Sequence, residues 1–518
     1  MSSRSAPLFR ALIGLSLLIM LVAVGALVWL LESRGIAPRT LGPYLERRAE
    51  GHNPLIISVG QQLNALLTRL DRGRAPDALP IVLWAGAAAT PDQKAAATTV
   101  LVGTPEQLVD AIQQARPGDV ISLLPGTYLF DSESIPVTQP GRADAPITVR
   151  AAQAGTVFLE FNMLEGFHVR APWWIFENLH IRGVCPEHSS CEHAFHVVGE
   201  ASHFVARNNT LVDFNAHFKI NGEGAQPDNG LIADNTIVNN SVRRTSNPVT
   251  SIDLVGASNW VIRGNLIRDF IKGDGDQTSY GGFAKGAGKD NRFIANTVLC
   301  EYTLRGVPGR RVGLSLGGGG TNAASCRDGR CIVEQEGGVL ESNLIAYCSD
   351  DGIYLNRASQ SVIRYNSLID TAGILLHFAE TSADLDGNLV DGPVSVRGGG
   401  IMRDHGNVFT RVSKLYLGWH PVRSLFEDAG MFDLSWKKSP PLQDKSEVKV
   451  ADLCASSRPA TPRFGAFEVF QVVDPGSRGP GHRQGRGRGE GGDGFGEQGT
   501  GRRQRRRRDQ VGGGRDLP

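Results

Sequence analysis

Between Trp173 and Val412 apolar pairs alternate with a polar residue and an Asn, over and over. The phrase reads IFENLHI at Asn178, ARNNTLV at Asn209, IADNTIV at Asn235, IRGNLIR at Asn265 and FIANTVL at Asn296. It continues as LESNLIA at Asn343, IRYNSLI at Asn366, DLDGNLV at Asn388 and DHGNVFT at Asn407. Successive Asn residues stand 31, 26, 30, 31, 47, 23, 22 and 19 positions apart. Self-similarity at this period marks a solenoid or a propeller, and units this short must stack to bury their apolar faces. Propeller blades need four strands and about 40 residues, whereas most periods here hold two or three short strands. The pattern therefore predicts an all-β fold, a single-stranded right-handed parallel β-helix (solenoid). One Asn per coil suits a bend, its amide bonding up and down the stack and its backbone tolerating the left-handed conformation.

Other periodicities bound this domain. Arg4 and Arg10 precede an uncharged run, Ala11 to Leu31, of 21 residues, long enough to cross the roughly 30 Å hydrocarbon core as a transmembrane helix. Val24-Gly25-Ala26 offers the competing cleavage site of a signal peptide. Residues 1–10 then form a cytoplasmic tip, 11–31 the anchor and 32–98 a helical stalk and linker, with helical spacing over Leu41–Glu50 and Val59–Leu70 and a stop at Asp71-Arg72-Gly73. Thr104-Pro105-Glu106-Gln107 is a capping-box helix start, and Leu108, Ile112 and Ala115 share one face of the helix that follows. This N-terminal capping helix covers the open end of a stack spanning 99–440. After Val412 the repeat fades into an irregular stretch whose Trp419, Phe426 and Trp436 can pack over the last coil, and residues 441–474 read as an irregular C-terminal cap.

Composition changes the picture at the C-terminus. The whole chain carries 54 Lys and Arg against 53 Asp and Glu, net +1. Residues 475–518 carry 11 Arg against 5 acidic residues, +6, which leaves +1 − 6 = −5 for residues 1–474. That Gly- and Arg-rich tail cannot build a core. In an exported protein it is suited to acidic polymers or lipid headgroups, and nucleic acid is not expected as a partner. Of seven Cys, Cys185 with Cys191 and Cys326 with Cys331 are spaced for small disulfide-closed loops in an oxidising compartment. The alternative for the first loop is zinc, with His188 and His193 beside it. Cys300 and Cys348 either bridge two coils or fill the core, and Cys454 is the seventh. Together these features place the chain in a bacterial inner membrane as a single-pass protein, its main domain in the periplasm or outside the cell.

After each repeated Asn comes a strand ending in Gly or Asn: AHFKINGEG, VTSIDLVG, YGGFAKGAG, RVGLSLGGGG, DGIYLNRA and GILLHFAE. Side chains alternate between faces. With Phe218, Ile220, Ile252, Leu254, Phe283, Leu314, Leu316, Ile353 and Leu355 inward, the outward column holds His217, Lys219, Asn221, Asp253, Lys285, Ser315, Tyr354, Asn356 and His377. Cations, a carboxylate, His, Tyr and Asn beside glycine-rich backbone suit a groove for a polar polymer. Ordinary charge pairing across strands is the plainer reading of the same residues.

The phrase ARPGDVISLLPGTY (115–128) resembles the opening coil of right-handed β-helix proteins of the pectate-lyase-like superfamily, such as chondroitinase B and the related alginate lyases, and the resemblance extends over roughly 99–415. It implies an acidic polysaccharide as partner and a uronate-polysaccharide lyase reaction by β-elimination. That chemistry needs a base, and positive charge or a metal at the substrate carboxylate. Lys219 or Lys285 is the candidate base, Asp253 completes the candidate catalytic set, and Arg305, Arg310 and Arg311 in the longest repeat are candidates to bind acidic groups. Asn221-Gly222-Glu223 is similar to the metal-side sequence of those lyases, which admits Ca2+ as a cofactor; no other metal is expected. The rival readings are a glycoside hydrolase using Asp350-Asp351 and a non-catalytic polysaccharide-binding or scaffold protein.

Overall fold

The computed structural model describes residues 5–73, 98–153, 155–318, 321–444 and 450–470. The Ala-rich linker, part of the Gly317–Gly320 run and the tail from 475 lie outside the described residues in whole or part. Coil after coil lays one short strand into each of three parallel sheets, of 12, 10 and 11 strands. Three-residue segments such as Leu231–Ala233 and Thr236–Val238 suffice, because each strand is paired above and below and sends its apolar side chains inward. This is the right-handed parallel β-helix the repeats predict.

The Asn ladder runs along the corner between the 12- and 11-stranded sheets. The backbone N–H and Nδ2 of Asn235 both donate to Asn265 Oδ1, at 2.9 and 3.0 Å, and Nδ2 also donates to the Ala206 carbonyl at 3.0 Å. The same links join Asn209, Asn235, Asn265, Asn296, Asn343, Asn366, Asn388 and Asn407. One detail differs from expectation. The left-handed residue is the one before the ladder Asn: Asn208, Asp234, Ala295, Ser342 and Tyr365 have φ between 52° and 57°. That residue turns the chain, so that the next side chain points into the stack. Asn178 occupies this bend position (φ 62°), and Leu179 N takes the ladder place by donating to Asn209 Oδ1.

Helix α1 spans Ser5–Ser33, α2 Pro38–Ala49, α3 Pro54–Arg72, α4 Pro105–Gln114 and α5 Val412–Tyr416. Within α1, Gly14–Ser33 is long and apolar enough to cross a membrane and its most apolar window is exposed; a membrane anchor and a signal sequence share these properties. α4 is the capping helix, with Leu108 and Ile112 fully buried. Thr104 accepts from Gln107 N, while the Gln107 side chain reaches back to Gly103 N. The stalk expected over 32–98 is corrected for its helical part. α2 and α3 form a hairpin lying against the last coils, because Arg39 and Asp71 are sealed beneath it. Arg39 reaches Asp71 (2.6 Å), Asp370 (2.8 Å) and the Cys348 carbonyl (2.9 Å). Arg423 bridges Asp391 (2.6 Å) to the Asp71 and Arg72 carbonyls at the end of α3. After the last coil Phe426 is buried and stacks on Trp436, whereas Trp419 is 62% exposed.

Candidate active site

Ten strands form the sheet that carries the predicted column: β1 Ile135–Val137, β2 Glu165–Val169, β3 His193–Val198, β4 Ala216–Asn221, β5 Val249–Val255, β6 Thr278–Lys285, β7 Arg310–Leu316, β8 Ile353–Asn356, β9 Ile374–His377 and β10 Val394–Arg397. A rung of phenylalanines, Phe167, Phe195 and Phe218, stacks inside β2 to β4 with centroids 5.3 Å apart at each step. It fixes which way the next residue points, so His168, His196 and Lys219 are aligned on the outer face, followed by Asp253.

Lys219 Nζ donates to Asp253 Oδ2 at 2.7 Å. The other carboxylate oxygen, Oδ1, is buried without a hydrogen-bond partner among the described residues. Lys285 stands one strand beyond Asp253, in register with Val255 and so in the column of Asn221. Phe283 therefore faces outward beside Asp253, not inward as the alternation suggested. The inward places of β6 go to Gly282 and Ala284, because Phe293 and Ile252 already fill that space; a Cβ on Gly282 would meet them at 3.2 and 3.4 Å. Lys285 Nζ rests 4.3 Å from the Phe283 ring centroid. Burial pushes its pKa below the ordinary lysine value; Asp253 opposes this and Lys219 adds to it. The loop closed by the Cys326–Cys331 disulfide walls this side, Arg327 reaching Asp228 at 2.8 Å.

Further along, Tyr354 Oη meets His377 Nδ1 at 3.1 Å and accepts from Asn356 Nδ2 at 3.0 Å. Burial, with Tyr280 and Asp351 nearby, pushes Tyr354 up to about 12. Arg310 is half exposed and paired with Asp350, while Asp351 is buried and its carboxyl raised well above the ordinary range by burial and Asp350.

Four predicted groove residues are withdrawn from the groove surface. His217 is fully buried, held by the Val238 carbonyl at 3.2 Å and by the edge of Phe214, because the segment that carries Val238 and Arg243 lies against it. Ser315 keeps its place in the column but is buried, its hydroxyl spent on the Gly317 carbonyl at 2.6 Å. Arg311 is sealed beside Glu301 and the Pro308 carbonyl. Arg305 lies over the Tyr347 ring, 4.0 Å from its centroid, beneath the C-terminal cap. An arginine in a loop insertion such as Arg305 can turn to either flank, which sequence spacing does not specify, whereas Arg311 lies in β7 opposite Ser279. The disulfides Cys185–Cys191 and Cys326–Cys331 form as expected, which removes the zinc alternative at the first loop, and Cys300–Cys348 bridges two coils.

The calcium admitted by resemblance finds no cage. A hard cation takes about 6–8 oxygens. Asn221 Oδ1 lies 2.8 Å from His196 Nε2, Glu223 is at the surface paired with Arg170, the neighbour stacked on Asn221 is Val255, and Asp253 holds Lys219. These residues do not fit calcium, and the chemistry below does not run through it.

Sequence reading missed Glu165, His168 and His196. The signal was present: Phe195-His196-Val197 and Phe167-His168-Val169 repeat the pattern of Phe218-Lys219-Ile220 one and two coils earlier. His196 Nδ1 lies 2.9 Å from Glu165 Oε1, and the two histidine rings stack at 5.1 Å. The Glu165 carboxyl is lowered by its bond to His196, against burial.

Two family models match the chain: Chondroitinase B over residues 102–264, and Right handed beta helix region over 250–411. Among solved structures, pectate lyase Pel9A is similar with a TM-score of 0.50 and 13% identity, covering 73% of this chain and 98% of its own. An alginate lyase from Paenibacillus sp. str. FPU-7 gives 0.35 and 15%, over 60% of this chain and 100% of its own. No curated protein matches the sequence. At such identities the likeness fixes the fold alone: a right-handed parallel β-helix.

Proposed function

We propose that the protein cleaves an acidic polysaccharide as a uronate lyase, held to a bacterial inner membrane by α1 with its β-helix on the periplasmic or outer side. The observation that supports this most is the pairing of unlike lysines on one face. Lys219 is committed to Asp253 and offers a fixed positive charge, whereas Lys285 makes no ion pair among the described residues and is driven by burial toward its neutral form. In β-elimination a base takes the proton beside the uronate carboxylate, the C–H electron pair becomes a C=C bond, and the glycosidic C–O bond breaks. Lys285 serves as the base and can return the proton to the departing oxygen. Lys219 stabilises the charge gathering on the carboxylate, and Asp253 positions Lys219. Tyr354, Asn356, His377 and Arg310 extend the polar surface to further sugar units.

The anchor reading fits the way α1 ends. Glu32 accepts from Ser413 N at 2.8 Å, and Arg397 donates to the Arg34 and Gly35 carbonyls at 3.0 and 3.1 Å. The last coils are thereby tied to the membrane end.

The test is a screen of the detergent-solubilised full chain against alginate, pectate, chondroitin and bacterial exopolysaccharides, following the ultraviolet absorbance of the unsaturated product. A rise on one polymer establishes the reaction and the substrate together. Shortened chains without that absorbance would instead identify a hydrolase, and a melting shift without cleavage a binding protein.

A further inference from the structure

Glu165, His168 and His196 each present one ligand atom, and these three atoms lie within 4.8 Å of one another. We propose that they form an open three-ligand site for a borderline divalent transition metal, zinc by ligand type, on the same face as Lys219 and one coil away from it. The proposal stands on geometry separate from the lyase reading.

The donor accounting carries it. Asn221 Nδ2 donates to the Gly222 carbonyl at 3.1 Å, which turns Asn221 Oδ1 toward His196. That oxygen accepts from His196 Nε2 at 2.8 Å. With its Nε2 proton used in this way, a neutral His196 aims the Nδ1 lone pair at Glu165 Oε1, 2.9 Å away. Two acceptors at that distance repel unless a cation lies between them. A proton can fill the place in the metal-free chain and a metal ion in the loaded one, and the loaded arrangement is the usual one: a ligating imidazole whose other nitrogen is held by a second polar group. His168 adds the third ligand, with Nδ1 3.8 Å from Glu165 Oε2 and Nε2 buried without a hydrogen-bond partner among the described residues.

Ligand chemistry selects the ion. Two imidazoles and one carboxylate suit zinc and its neighbours, and are poor for calcium, which wants oxygen throughout. The three side chains are 17–24% exposed, so the site opens to solvent on the groove side. Three protein ligands with an accessible fourth position are the arrangement of zinc sites that bind a water or an anionic ligand. A carboxylate of the polymer is of the right class to fill it.

The test uses the purified full chain, stripped with a chelator and dialysed against zinc chloride. The expected result is one tightly held zinc per chain that survives gel filtration, with loss in His196→Ala and Glu165→Gln. Asn221→Ala should weaken binding by about 10–100-fold, since it removes only the outer support. Cobalt in place of zinc, in the unmutated chain, should give visible d–d bands without a thiolate charge-transfer band. Four results would overturn the proposal: no uptake by the folded chain, full zinc content in folded His196→Ala, displacement of zinc by equal calcium, or a thiolate band.

Discussion

Lys219 and Arg39 each hold an aspartate at closely similar distance, 2.7 and 2.6 Å, yet the two regions use charge in opposite ways. Beneath the α2–α3 hairpin Arg39, Asp71, Asp370 and Asp391 are buried, and with the part-buried Arg423 they are matched bond for bond. On the outer face of β2 to β6 Lys219 and Lys285 are part-exposed, Asp253 is buried, and the set is incompletely matched: Asp253 keeps an unused oxygen, and Lys285 has no ion pair among the described residues. A buried ion pair costs desolvation that only full matching offsets, so the sealed network joins parts of the fold. An open, under-satisfied set keeps capacity for a ligand. Residue type alone does not separate the two, and burial with completeness of partners does.

The comparison can be broken at either end. Lys285→Met should lower turnover by about 10²–10⁴-fold, the range for a lost general base, while leaving the melting temperature in place; a clear loss of stability instead would make Lys285 structural. Arg39→Met should do the reverse. It strands Asp71 and Asp370 and should cost about 3–5 kcal/mol, read by denaturant unfolding, with turnover per folded molecule unchanged. Between these lies Asn265→Ala, which removes the acceptor of Asn235 N and Nδ2 in the middle of the ladder and should cost about 1–3 kcal/mol without altering the groove.

The pH dependences sharpen the same contrast. Burial raises the cost of ionising Asp391, and Arg423, His420 and Arg39 overcome it, so its folded pKa is depressed. Such a group stabilises fully above its unfolded value, about 3.9, and the contribution is lost as pH falls below it. Hydrogen exchange in residues 38–72 should accelerate on acidification below that value, before the middle coils open. In the groove the shift works on Lys285 in the other pH range. Turnover should rise with pH and level off at an apparent pKa below lysine's usual value of about 10.4, and this limb should vanish in Lys285→Met.

What was legible in the sequence is what repeats. The Asn phrases, the alternation of strands and the capping box report local geometry copied coil after coil, and they specify the β-helix, its cap and the Lys219–Asp253 neighbourhood. The same logic reached too far where the repeat is interrupted. Gly281-Gly282 moved Phe283 outward and Lys285 into another column, the segment bearing Val238 and Arg243 buried His217, the loop insertion turned Arg305 away from the groove, and Arg311 at the start of β7 was sealed beside Glu301. The close spacing of Cys185–Cys191 and Cys326–Cys331 showed those loops, while the bridge Cys300–Cys348 needed the coils to be stacked.

Only the tertiary structure decided that residues 38–72 dock on the coils, since no periodicity links Arg39 to Asp370, 331 positions away. Only it gathered Glu165, His168 and His196, drawn from two strands 31 residues apart at the contact. Stacking is a nearest-neighbour interaction whose period is written along the chain. A side-chain constellation depends on strand register and on what covers it, and both are set by packing between segments distant in sequence.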